Sequence, residues 1–331
     1  MNKLNILLIA AAAASLCTSC FRAESSGLND GNKRYFDAWM KINHPDAIRE
    51  GMGIYILDET TGSGASIGKA EDYPFAYVTY TSTDLDGNIV ETTDAEVAKQ
   101  IGTYSDANYY GPAVKLRSVS GFTAGQEMVL SPMRVGGSRK AVIPGWFDTA
   151  SRYDSEQEYL DKVTGDDCIY SVTVHEVIKD IALWQIDSIS RYLTHQYSHP
   201  VDSAKYGFYY IQTEPPTDTA SFSSGTKIYV NYTGSLLNGK VFDTSDANTA
   251  KDAGLYSASK TYEPLGITIN SDYKEITDVI EGMALCVSRM KKGEKGTCVF
   301  YSDIGYKGES KGSIPAFSPL RFDIEMLGTT K

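Results

Sequence analysis

Tyr77–Asp94 reads YVTYTSTDLDGNIVETTD, and Tyr229–Asp246 reads YVNYTGSLLNGKVFDTSD. The two stretches overlay without a gap, at a constant offset that carries Tyr80 onto Tyr232. The likeness extends outward on both sides. Downstream, Met133–Ile143 (MRVGGSRKAVI) overlays Met290–Phe300 (MKKGEKGTCVF), with Gly136 on Gly293. Upstream, Gly53–Leu57 (GIYIL) pairs with Gly207–Ile211 (GFYYI), each after a His-Pro. Order is kept throughout, so one domain is present twice, and a repeat on this scale sets the architecture before any local reading does.

Each copy reads as strands around one helix. Ile228, Val230 and Tyr232 alternate with Lys227, Tyr229 and Asn231, the period of a half-buried strand. Asn238-Gly239, and Asp86-Gly87 in the first copy, predict hairpins closed by type I′ turns, in which both central residues take positive φ. Val279 to Lys292 has helical character with Gly293 as its stop, and Thr297–Tyr301 and Leu320–Leu327 read as strands. Between the copies, Ile178, Ala182, Ile186, Ile189 and Leu193 fall on one helical face that packs against one or both domains. The division expected is 1–19 signal peptide, 20–45 tether and short helix, 46–178 first domain, 179–203 helical linker and 204–331 second domain.

The 331 residues suit two domains, and 42% hydrophobic with 22% charged residues is ordinary for globular cores. A formal charge of −11 argues against a nucleic-acid partner, because nothing would neutralise phosphates, and against a polybasic membrane patch. At the N-terminus, Lys3 and the apolar run Leu4–Leu16 match a signal-peptide core, too short to span a bilayer. Cys20 after Thr18-Ser19 resembles the acylated cysteine of a bacterial lipobox, with Cys17 where that box usually has Leu; a plain signal peptide cleaved nearby is the alternative. The expectation is a lipid-anchored protein of the bacterial cell envelope, at the outer membrane facing the periplasm, that touches membrane through its lipid alone. Cys168, Cys286 and Cys298 lack a Cys-x-x-Cys neighbour or a histidine at ligand spacing. They read as buried small apolar residues, with a Cys286–Cys298 bridge as the lesser alternative.

In the second copy, Val230-Asn-Tyr-Thr-Gly234, Gly239-Lys-Val-Phe-Asp-Thr-Ser245, Val279-Ile280-Glu-Gly282, Met290-Lys-Lys-Gly293, Asp303-Ile-Gly-Tyr306, Ile314-Pro315 and Phe322-Asp-Ile-Glu325 follow one another. In that order they resemble the FKBP-type peptidyl-prolyl cis-trans isomerases, from Gly207 to Leu327. The resemblance implies an α+β protein with two FKBP-like domains, each a curved antiparallel β-sheet wrapped around a short α-helix, joined by a helical linker. It implies that Tyr232, Phe242, Val279, Ile280 and Phe322 line a proline pocket. Tyr306 would donate its hydroxyl to a substrate carbonyl, Asp243 would form the polar edge, and the Ile280 N–H would hold a second carbonyl. Met283 stands where the family has an indole floor, and Leu265 where it has an aromatic wall. The implied activity is exchange at Xaa-Pro bonds of unfolded or partly folded exported polypeptides, with no cofactor and no metal. A non-catalytic peptide-binding chaperone or scaffold is the alternative.

The first copy departs further. Val90, Glu91 and Phe122 stand in for Phe242, Asp243 and Met283, an extra stretch is expected from Ala124 to Pro132, and nothing matches the Tyr306 region. A structural or peptide-holding role is expected for it. Three other motifs fail on context. Gly308-Glu-Ser310-Lys-Gly312 lacks the strand and helix a nucleophile elbow needs. Gly62–Lys69 misses the spacing of a phosphate loop. His195 and His199, four apart, have no third ligand.

Overall fold

A computed structural model describes residues 27–198, 201 and 204–331. The expected signal peptide 1–19, the acylation site Cys20 and the His199-Pro200 pair lie outside them. Helix α1 (Asp30–Asn43) packs Phe36 and Met40 onto the first domain. Asn29 at its head donates to the carbonyls of Leu160 and Val163, fastening it there.

The first sheet holds β1 (Ile48–Arg49), β2 (Tyr55–Thr60), β3 (Phe75–Thr83), β4 (Ile89–Thr92), β5 (Ala113–Leu116), β6 (Ser138–Ile143) and β7 (Cys168–Ile178). Its order is β1-β2-β6-β7-β3-β4, with β5 also on β3. Helices α2 (Ala95–Gln100), α3 (Ala124–Leu130) and α4 (Glu156–Lys162) lie between these strands, and α5 (Ile181–Tyr197) follows the last. The second sheet holds β8 (Phe208–Glu214), β9 (Lys227–Leu236), β10 (Val241–Thr244), β11 (Leu265–Thr268), β12 (Lys295–Phe300) and β13 (Leu320–Gly328), with α6 (Ala247–Asp252) and α7 (Glu281–Val287). Its order is β10-β9-β13-β12-β8, with β11 also on β9. Every pair is antiparallel, and β3 contacts β4, β5 and β7 as β9 contacts β10, β11 and β13. The fold is therefore α+β, with two sheets of like topology.

Each sheet closes over one short helix. Gly282 to Val287 are all buried, with only Glu281 at its start partly exposed, so α7 draws its stability from the surrounding core rather than from propensity. The helix can lie this close because Gly282 has no side chain: a Cβ there would stand 2.5 Å from ring atoms of Phe300. Gly125 of α3 lies against Ile143 in the same way. Ile143 and Phe300 are partners in the sequence repeat, so the device is duplicated with the domain.

The structure corrects several expectations. In both hairpins only the glycine has positive φ, Gly87 at 88° and Gly239 at 88°, and each donates its N–H three residues back, to Asp84 and Leu236. These are four-residue turns ending in a left-handed glycine opposite a bulge, the longer hairpin form, rather than type I′. The helix expected over Val279–Lys292 is only Glu281–Val287, because Gly293 donates to Met326 and belongs to the turn into β12. Ile178 ends β7 instead of starting the linker helix, and the buried face of that helix is Gln185, Ile189 and Leu193. The supposed extra stretch Ala124–Pro132 contains α3 itself, whose N-cap Thr123 corresponds to Ile280 at the head of α7. Phe122 therefore aligns with Val279, and Gln126 with Met283. Cys168, Cys286 and Cys298 are buried free thiols, so the alternative bridge is absent.

Candidate functional site

The candidate residues of the second domain come from five elements. Tyr232 lies on β9, Phe242 and Asp243 on β10, Val279 and Ile280 before α7, Met283 on α7, Tyr306 after a 3-10 turn at Ser302–Ile304, and Phe322 on β13. All of them except Asp243 pack on the same core; Met283 and Phe322 are buried, while the other five are partly buried. Phe322 is the hub. Its ring stacks on Phe300 at 5.8 Å, meets Phe242 edge-on at 5.6 Å, and lies tilted against Tyr232 at 6.3 Å.

Register explains the convergence. Gly234 on the central strand pairs with Phe322 on one side and Asp243 on the other. A Cβ at Gly234 would stand 2.5 Å from Cε2 of Phe242 and 3.0 Å from Cε1 of Phe322, so glycine there lets the two rings meet. The polar edge is built on the same strands. Tyr232 donates its hydroxyl to Asp243 Oδ2 at 2.6 Å, the Thr244 N–H reaches Asp243 Oδ1 at 2.9 Å, and the Lys260 ammonium pairs with that same oxygen. Burial, then the hydrogen bond to Asp243, pushes the Tyr232 hydroxyl well above the usual tyrosine range. Tyr306 is raised by burial first and then by the charge of Asp243. Both phenols stay protonated at neutral pH.

Two donors are left over. Among the described residues neither the Tyr306 hydroxyl nor the Ile280 N–H donates to a group of the chain. The Ile280 N–H sits at the N-terminus of α7, where backbone donors have no intrahelical acceptor. Partly buried aromatic rings that share a core with two unspent donors can take an apolar ring together with two carbonyl oxygens. Two clefts reach this cluster at Tyr232: one of about 380 Å³ is lined by Tyr232, Ser245, Lys260 and Leu265, and one of about 300 Å³ by Tyr232, Asp246 and Arg321. A hollow between Phe242 and Tyr306 is not among them.

The first domain repeats the polar pair and spoils the apolar wall. Tyr80 donates to Glu91 as Tyr232 does to Asp243, and Tyr80 lies 5.9 Å from Tyr170. Val90, in the place of Phe242, is 71% exposed and covers nothing. Lys115 lies over the rings of this domain, with its ammonium 4.4 Å from the centre of the Tyr80 ring and 5.0 Å from that of Phe122. Burial pulls the Lys115 pKa down, opposed by the charges of Glu91 and Asp148. Strand pairing sets Lys115 opposite Ala76, as it sets Ile267 opposite Ile228 in the second domain. A cleft of about 450 Å³ runs from Tyr80, Glu91 and Tyr109 of this domain to Gly312, Ile314 and Pro315 of the other.

Sequence reading missed Lys260, Lys115 and Gln185, and named Gly234 without giving it a role. Strand register would have exposed Lys115, since Val78–Ala113 corresponds to Val230–Leu265 and Lys115 follows at the position of Ile267. Lys260 lies in the loop after α6, where the first copy has Asn108, so the repeat gives no signal for it. Among the described residues no group of three or more His, Cys, Asp or Glu side chains could hold a metal ion, and no helix is long and apolar enough to cross a membrane.

Comparison with known proteins gives a consistent result. The model of a family described as FKBP-type peptidyl-prolyl cis-trans isomerase matches residues 219–327. FK506-binding protein 1 of Aspergillus oryzae is 32% identical over 107 residues, which are 32% of this chain and 84% of that protein. A peptidyl-prolyl cis-trans isomerase of Schizosaccharomyces pombe is 35% identical over 104 residues, 31% of this chain and 77% of that protein. The crystal structure of the three FKBP domains of wheat FKBP73 aligns at 14% identity over 84% of this chain and 95% of that chain, with a TM-score of 0.31.

Proposed function

The chain belongs to the FKBP-type peptidyl-prolyl cis-trans isomerase family, and on that premise we propose that its second domain is the catalytic one, acting on Xaa-Pro bonds of exported polypeptides. The observation that carries this reading is the cluster of Phe242, Phe322 and Tyr232, which shares one core with Tyr306 and Ile280. Rotation about an Xaa-Pro amide faces a barrier of roughly 18–20 kcal/mol, because the C–N bond must give up its resonance. Uncatalysed exchange takes tens to hundreds of seconds. No bond to carbon breaks, so a nucleophile has nothing to do.

The twisted amide has less charge separation than the planar one, and an apolar, water-poor surface favours it. Phe242 and Phe322 supply that surface for the prolyl ring, with Val279, Ile280 and Met283 beside them. Met283 is buried and adaptable, and gives a softer floor than an indole would. The Tyr306 hydroxyl and the Ile280 N–H hold the carbonyls on either side of the rotating bond. Asp243, already engaged by Tyr232 and Lys260, keeps Tyr232 fixed and takes no part in proton transfer.

In the first domain, Lys115 occupies the place a prolyl ring would need, which favours a holding role there over turnover. The same proposal places the protein in the bacterial envelope, tethered through an acylated Cys20 and facing the periplasm. The test is prolyl exchange in a short peptide with the full chain, its Tyr306→Phe variant and its Phe242→Ala variant. Acceleration by the wild type that falls at least tenfold in Phe242→Ala is expected. A wild-type rate equal to buffer refutes the catalytic reading. Palmitate labelling that persists in Cys20→Ser refutes the anchor.

A further inference from the structure

The loop that carries Tyr306 is not held by its own domain alone. It leaves β12 at Ser302 and returns to β13 after Phe317, and both of those points are fastened to Gln185 of the linker helix. Gln185 is fully buried. Its Oε1 accepts from the Ser302 N–H at 2.7 Å, and its Nε2 donates to Ser302 Oγ at 2.9 Å and to the Phe317 carbonyl at 3.0 Å. Every polar atom of the amide is thereby satisfied by one loop.

Inside the loop the backbone is bent at cost. Lys307 and Phe317 have φ of 54° and 58°, left-handed values that non-glycine residues adopt only when their surroundings impose them. The two bends brace each other: Phe317 donates its N–H to Lys307 at 2.8 Å, and Lys307 donates to Ser302 at 2.8 Å. The Phe317 ring then meets Phe75 of the first domain edge-on, with centroids 5.1 Å apart. A closed circuit therefore runs from Gln185 through Ser302, Lys307 and Phe317 back to Gln185. Tyr306 sits inside it, next to one of its strained members.

We infer that Gln185 is a positioning residue for the isomerase site: the linker helix, with Phe75 of the first domain behind it, holds the Tyr306 loop in its working shape. This rests on the reading that Tyr306 belongs to that site. The consequence is a division of labour in which the first domain and the linker complete the second domain's catalytic surface. A second domain free of them keeps its strands and loses the set of that loop.

The experiment uses the full chain with Gln185→Ala and Gln185→Met, the latter keeping the volume within the helix should the former fold poorly. Two readouts are taken. In prolyl exchange, kcat/KM falls roughly tenfold, as expected for a misplaced contact group, and the same change made in a Tyr306→Phe background has no further effect, because both act through one hydroxyl. In hydrogen exchange, amides of 302–317 open at least tenfold faster while those of β12 and β13 keep their wild-type rates. A Gln185 variant with wild-type turnover, or an equal loss in both backgrounds, overturns the inference. Should the wild type prove inactive, the functional reading falls and hydrogen exchange decides this one by itself: unchanged rates over 302–317 overturn it, and faster rates uphold the clamp.

Discussion

Replacing Gly234 by alanine separates stability from catalysis. The residue's φ is not in the left-handed region, so the backbone accepts alanine. The obstacle is the new methyl, 2.5 Å from Cε2 and 2.7 Å from Cζ of Phe242 and 3.0 Å from Cε1 of Phe322. Comfortable carbon contacts lie at about 3.5–4.0 Å, so one ring must retreat by roughly 1 Å. Phe322 cannot, being 4% exposed and stacked on Phe300 at an interplanar angle of 5°. Phe242 stands on the sheet's edge strand and is only partly buried, so it is the ring that moves. Overpacking costs about 1–3 kcal/mol, offset by about 0.4–1 kcal/mol from the narrower unfolded state of alanine, which leaves a net loss near 1 kcal/mol. That does not unfold the domain. A 1 Å displacement of a contact group, however, costs up to about 100-fold in rate. Urea unfolding and prolyl exchange on the same full-length preparation check both halves, with Gly31→Ala as the control, since a Cβ there meets nothing within 4 Å. A Gly234→Ala chain that is folded and exchanges prolyl bonds within twofold of wild type refutes the assignment of Phe242 to the binding surface.

Two further outcomes follow from the charges and phenols. Tyr80, Tyr109, Tyr170, Tyr210 and Tyr232 are held above the ordinary tyrosine value of 10.0, chiefly by burial, and Tyr109 is pushed up to about 12. A raised folded value means the stabilisation is whole below pH 10 and is lost as pH climbs from there through about 12. The urea midpoint is therefore expected to hold between pH 7 and 9 and to drop by pH 11, and a midpoint unchanged at pH 11 contradicts the burial of these hydroxyls. Lys260→Met removes the partner of Asp243, but the two side chains are 39% and 42% exposed, so unfolding should shift by less than about 1 kcal/mol; a loss of several kcal/mol would mean the pair is far drier than its exposure indicates.

The repeat and the residue types of the aromatic cluster were legible because they rest on local signals that survive at fixed spacing, whereas the strand order comes from the structure. Alternation in Ile228–Tyr232 fixes which side chains face inward, and the ordered pieces from Gly239 to Phe322 carry the family resemblance. Hairpin chemistry was misread because Asn-Gly and Asp-Gly also suit the longer turn, in which the glycine alone is left-handed. Helix length was misread because the apolar pattern around α7 continues into a turn that Gly293 ties to β13. Linker phase was misread for a different reason. An apolar-face count rejects glutamine, whereas Gln185 is buried through three hydrogen bonds that come from a loop more than a hundred residues away.

The two copies share a backbone plan and a tyrosine–carboxylate pair, and besides the Tyr306 loop that the first lacks, two side chains set their apolar surfaces apart. At one position Phe242 turns its ring inward while Val90 leaves 71% of its surface in water. At the other, Ile267 is buried in the apolar core, whereas Lys115 sends an ammonium across two aromatic faces. Neither change alone closes a prolyl site: a missing wall leaves an open surface, and an ammonium beside an intact wall could swing out to solvent. Together they take away the apolar surface, because Val90 supplies no ring and the Lys115 ammonium lies over the Tyr80 and Phe122 rings, held by cation–π attraction of about 0.5–2 kcal/mol. Restoring a prolyl surface to the first domain would therefore require both positions to change at once. The first domain serves the second by another route, through the Phe75 ring set against Phe317, and the side chains of its own spoiled site take no part in that contact.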